Sequence, residues 1–78
     1  MTEQALLKRI GKRIREIRIA KGMSQQELAA LLDYEKSNMS RLESGNINPT
    51  IATLYKVANA LKVSLCEIVK VSDLKEGN

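Results

Sequence analysis

Apolar residues recur along this chain at intervals of three and four, and no stretch of useful length alternates as a strand would. Leu7, Ile10, Ile14 and Ile17 form one stripe of a helix whose other faces are filled by Lys and Arg. Lys21-Gly22 closes it, with a base in the last turn and a glycine suited to left-handed backbone. Ser24-Gln25-Gln26-Glu27 has the spacing of a capping box. It opens a short second helix carrying Leu28, Ala29, Leu31 and Leu32, broken at Asp33-Tyr34. The third helix, Lys36 to Ser44, has only Met39 and Leu42 as apolar residues. It therefore buries a narrow edge, presents a broad polar face and stops at Gly45. After the loop Asn46-Ile47-Asn48-Pro49, Thr50 caps a fourth helix with Ile51, Leu54, Val57, Ala58 and Leu61 on its apolar side. Lys62-Val63 leads to a second capping-box pattern, Ser64 to Glu67, opening a fifth helix through about Lys70. Residues 1–71 thus read as one all-α domain, with 72–78 a polar, frayed tail.

Composition narrows the function. In 78 residues there is room for one small core. Histidine is absent, which excludes a Ser-His-Asp triad, a Cys-His dyad and an imidazole metal site. The single cysteine, Cys66, cannot form an internal disulfide and, without a histidine, reads as a small packing residue rather than a nucleophile. No apolar run approaches the ~20 residues of a membrane span, and the first ten residues lack the apolar core of a signal peptide. The expectation is a cytoplasmic domain that is not an enzyme, with no cofactor, no metal and no evident small-molecule ligand.

Charge is unevenly placed. Residues 1–21 hold seven Lys or Arg against two acids, while the rest of the chain holds six against seven, so the whole excess behind the net charge of +4 lies in that first segment. Such a cluster suits a polyanion, nucleic acid or an anionic membrane, though it is also what a solvated helix face looks like. The first helix lacks Trp and Phe, and its Ile stripe is needed for the core, which counts against a membrane surface.

Helices two and three, each about two turns long and joined by a short turn, have the proportions of a helix-turn-helix, whose second helix enters the DNA major groove. Ala29 supplies the small residue where they cross, and Met39 and Leu42 point back onto Leu28 and Leu32. The third helix offers Lys36, Ser37, Asn38 and Arg41, whose spacing puts them on one exposed side near its N-terminal half. Arg41 suits guanine O6/N7, Asn38 suits adenine N6/N7, and Ser37 is permissive. Asn46 and Asn48 flank the start of the fourth helix, where free N–H groups hold a phosphate; they serve equally as turn formers. Lys12 and Arg13 are further phosphate candidates, whereas Arg9 and Arg15 serve solubility equally well.

The runs Gly11-Lys12-Arg13-Ile14-Arg15, Gly22-Met23-Ser24-Gln25-Gln26-Glu27-Leu28-Ala29, Ser40-Arg41-Leu42-Glu43-Ser44-Gly45 and Asn48-Pro49-Thr50 resemble the Cro/phage-repressor-like helix-turn-helix family, also called the xenobiotic response element family. The similarity spans about residues 7–69, and the chain is similar to short stand-alone restriction-modification controller proteins. The resemblance implies a five-helix, lambda-repressor-like DNA-binding domain that reads double-stranded DNA as a homodimer, with base readers at the positions named above. It implies that Gln25 contacts the phosphate backbone or buttresses the reading helix. It also implies an ion pair between Arg18 and Glu43 that orients that helix, with Arg18 able to approach a phosphate. Two positions depart from the family pattern. Asp33 stands where glycine is common, and Tyr34 stands where a small aliphatic is usual, its ring either over the core edge or toward DNA.

The function expected is a sequence-specific transcriptional regulator reading a pseudo-palindromic operator. Tyr55, Leu65, Val69 and Val71 are the candidate dimer surface, unless they only complete the core. The alternative is an antitoxin-like or accessory module whose main partner is another protein.

Overall fold

A computed structural model describes residues 1–70; Val71 and the expected tail at 72–78 lie outside the described residues. Over the described residues the chain forms five helices and no strand: α1 (Glu3–Ala20), α2 (Gln25–Leu31), α3 (Lys36–Ser44), α4 (Ile51–Leu61) and α5 (Leu65–Val69). α1 starts earlier than its apolar stripe, because the Thr2 hydroxyl accepts the Ala5 N–H at 3.1 Å and caps the helix. Ser24 and Glu27 form a complete capping box at α2, and Thr50 caps α4.

Every helix contributes to one core: Ile10, Ile14 and Ile17 from α1, Leu28 and Ala29 from α2, Met39 and Leu42 from α3, Leu54, Val57, Ala58 and Leu61 from α4, and Ile68 from α5. The apolar patterns overreach at two helix ends. Leu31, the last residue of α2, is 62% exposed, and Ile51, the first of α4, is 66% exposed. Leu31 lies off the face made by Leu28 and Leu32, and Ile51 lies one turn beyond the last core contact of its helix. Ile68 is fully buried, although no apolar stripe pointed to it.

The turns show how non-glycine residues serve. Asp33 takes φ 54°, the left-handed conformation that glycine usually supplies, so the α2–α3 turn closes with the Tyr34 N–H donating to the Ala29 carbonyl at 2.8 Å. The Tyr34 ring packs against the core edge. Lys62 ends α4 at φ 60°. The second capping box does not form: the Ser64 side chain makes no cap bond, and the Glu67 carboxylate is taken by Arg13 at 2.8 Å.

Two glycines set how closely α1 meets α3. A Cβ on Gly11 would stand 2.5 Å from the carbonyl oxygens of both Leu42 and Glu43. Gly45, at φ 80°, would bring a Cβ within 2.7 Å of the Lys8 backbone. α1 therefore lies backbone to backbone on the last turn of α3. A glycine inside a helix costs about 1 kcal/mol against alanine, and here it permits an approach that no side chain allows.

Gly11→Ala should therefore destabilise by at least the ~1–3 kcal/mol of an overpacked core, read by urea denaturation; a loss under about 0.5 kcal/mol would refute the backbone contact. A pH effect follows at α2. Hydrogen bonds from Ser24, first from its backbone N–H and then from its hydroxyl, hold the Glu27 carboxyl below its ordinary value. A lowered folded value means stability that is present above the ordinary carboxylate value and lost as pH falls through the lowered one. The stability gap between wild type and Glu27→Gln should close as the solution is acidified, and a gap independent of pH would rule the linkage out.

Candidate nucleic-acid interface

α3 turns Met39, Leu42 and Glu43 inward and leaves Ser37, Ser40, Arg41 and Ser44 exposed. With about 100° per residue, Ser37 and Arg41 lie nearly opposite the buried edge. Lys36 and Asn38, about 200° apart, fall on opposite flanks, and Asn38 is half-buried. The four candidate readers therefore do not share one side, as their spacing had suggested. Ser37 and Arg41 form the centre of the face and Lys36 and Asn38 its two edges. Ser40, beside Arg41, belongs to the same face; its position one turn after Ser37 was the available signal. Ser44 is turned back on its own helix, its hydroxyl donating to the Ser40 carbonyl at 2.9 Å.

Behind this face stands a buried polar network. Arg18 Nε donates to Glu43 Oε2 at 2.7 Å, and a terminal nitrogen donates to Oε1 at 3.0 Å. The other terminal nitrogen donates to the Met23 carbonyl at 2.8 Å. Gln25 Nε2 adds a bond to Glu43 Oε1 at 3.0 Å. Arg18 and Glu43 are 8% and 7% exposed, so the pair lies under the surface. All three guanidinium nitrogens are engaged within the protein. The Gln25 bond ties the start of α2 to the residue that anchors α3.

Other phosphate candidates also have partners within the protein. Arg13 is drawn to α5, its Nε donating to the Glu67 carbonyl at 2.9 Å and a terminal nitrogen to the Glu67 carboxylate at 2.8 Å. It lies about 200° around α1 from Gly11, on the side away from α3. Arg13 thus clips α1 to α5. Asn46 donates its backbone N–H to the Arg41 carbonyl at 2.9 Å and its amide to Ser44 Oγ at 3.1 Å. Asn48 donates to Glu3 Oε2 at 3.1 Å, a carboxylate that no local pattern linked to this loop. Both asparagines are exposed beside the start of α4.

On the far side, Tyr55 is 56% exposed and shares a face of α4 with Ile51, one turn earlier. Leu65 and Val69 pack in part against the core. Cys66 is exposed, so it is not the packing residue its lone occurrence suggested. Among the described residues no group of His, Cys, Asp or Glu could hold a metal, and no helix is long and apolar enough to cross a membrane.

The family model HTH_3, helix-turn-helix, matches residues 14–68. The chain is 39% identical over 66 residues to the HTH-type transcriptional regulator y4dJ of Sinorhizobium fredii, covering 85% of this chain and 86% of that one. It is 39% identical over 57 residues to the HTH-type transcriptional regulator PuuR of Escherichia coli, covering 73% of this chain but only 31% of PuuR. Among solved structures it is similar to the restriction-modification controller protein C.AhdI of Aeromonas hydrophila, with TM-score 0.79 and 38% identity over 82% of this chain and 97% of that one.

Because the Arg18–Glu43 pair is buried, Glu43→Ala leaves an uncompensated guanidinium and should cost about 3–5 kcal/mol. Denaturation midpoints would show it, and a loss below about 1 kcal/mol, the size of an exposed pair, would contradict it.

Proposed function

The chain belongs to the HTH_3 helix-turn-helix family, whose relatives are transcriptional regulators, and from that premise we propose that it reads a pseudo-palindromic operator as a cytoplasmic homodimer. The observation that carries this reading is α3 itself. Its inner edge is held by Glu43, Met39 and Leu42, while Ser37, Ser40 and Arg41 are free in solvent. Exposed side chains on a helix held in this way suit a major groove, in which Arg41 pairs bidentately with guanine and the serines accept or donate at neighbouring edges. Lys36 and Asn38 contact the flanks of the same site, and Asn46 and Asn48 lie against the adjoining phosphates. Gln25 works through Glu43, keeping the reading helix in place.

One α3 of nine residues reads few bases, which favours two copies on half-sites about 34 Å apart. Tyr55 and Ile51, exposed together on α4 beside Leu65 and Val69, make the two-fold apolar patch. Val71, the fourth expected member, lies outside the described residues.

Selection of bound duplexes from a random pool should return a palindromic consensus. Arg41→Ala should flatten one position in each half-site, at about 1–3 kcal/mol of discrimination. Enrichment without any consensus would overturn sequence reading. Sedimentation of Tyr55→Asp should show monomer at concentrations where the wild type is a dimer; a wild type that stays monomeric with its operator would overturn dimeric reading.

A further inference from the structure

The fold separates the reading helix from the positive charge. Two of the seven bases in residues 1–21 are consumed internally, Arg18 by Glu43 and Arg13 by Glu67. Lys8, Arg9, Lys12, Arg15 and Lys21 remain exposed. The surface around α3 has Lys36 and Arg41 set against Asp33 and Glu35 and is close to neutral. The charge that attracts a polyanion is thus concentrated on α1.

On that helix the charge gathers at a notch. Arg9, Lys12, Arg13 and Lys70 line a cavity of about 120 Å³ together with Glu16. The notch lies on the α5 flank of α1, where the Arg13–Glu67 pair fixes one wall. α3 packs on the other flank, through Gly11 and Arg18. A duplex lying along α3 therefore does not occupy the notch.

The lining points to a class of occupant. It contains charged side chains and, among the described residues, no apolar one that could seat a partner's anchor. Protein interfaces bury an apolar, aromatic core and are depleted in Lys and Glu. Phosphate neutralisation by Lys and Arg needs no such core. We infer that the α1–α5 notch is a second DNA-backbone site that holds another duplex segment without regard to its sequence. Arg13, pinned by Glu67, forms the wall, while Arg9, Lys12 and Lys70 close around one phosphate. The site needs only a phosphate backbone, so it stands or falls apart from operator reading.

The test uses the full chain with two random-sequence duplexes, one immobilised and one labelled. Wild type should retain the labelled duplex on the immobilised one, with retention falling steeply as salt rises. Arg9→Gln/Lys12→Gln/Lys70→Gln, all at exposed positions, should reduce retention to the protein-free level while binding of a single duplex changes less than about threefold. No retention by wild type, or equal retention by the triple variant, would overturn the second site. So would displacement of wild type by polyglutamate but not by excess duplex, which would mark an acidic protein as the occupant. Retention that persists when selection returns no consensus would sink operator reading alone.

Discussion

The Glu43 carboxylate holds three helices together. It takes two hydrogen bonds from Arg18 of α1 and one from Gln25 of α2, while its own backbone belongs to α3. Arg18 spends its remaining terminal nitrogen on the Met23 carbonyl in the α1–α2 turn. A buried ion pair is costly to desolvate and is tolerated only when each atom finds a partner. Among the described residues no buried side-chain nitrogen or oxygen lacks one. Displacing α3 would break several bonds at once, and that constraint fixes where the exposed serines and Arg41 stand.

Sterics support the electrostatics. The carbonyls of Leu42 and Glu43 lie where a Cβ of residue 11 would be, so only glycine lets α1 close on the turn that carries Glu43. Without that approach the Arg18 guanidinium could not reach its carboxylate in the same geometry. Gly45, held against Lys8, ends α3 at the same junction. At the opposite flank of α1, Arg13 and Glu67 fasten α5. Two ion pairs thus position α1 between α3 and α5, and the bases of α1 with no ion pair among the described residues remain on the outside.

Much of this was legible in the residue pattern. Ile10, Ile14, Ile17, Leu54, Val57 and Leu61 announce their burial because a period near 3.6 persists over several turns. The pattern failed where a period cannot inform. Leu31 and Ile51 continue their helices past the edge of the core. Ile68 anchors a helix of five residues, too short to display a stripe. Glu67 satisfies a local capping pattern, but the carboxylate prefers a guanidinium 54 residues away. The Arg18–Glu43 pair spans 25 residues, and no spacing rule connects them; family resemblance alone suggested it. Gly11 carried no visible reason until α3 was laid against it. Lys36 and Asn38 looked like neighbours in sequence and face different ways on the helix.

The proposed role of the Arg18–Glu43 pair is orientation of α3 more than stability. An apolar replacement of both partners, Arg18→Met/Glu43→Leu, separates these roles, because a buried pair exchanged for apolar residues of similar volume often leaves a fold as stable or more so. The decisive measurement is the ratio of consensus to random duplex affinity at one salt concentration in that variant. The account predicts a folded protein whose random binding is unchanged and whose ratio falls about tenfold or more, about 1.4 kcal/mol. An unchanged ratio in the folded variant would contradict it.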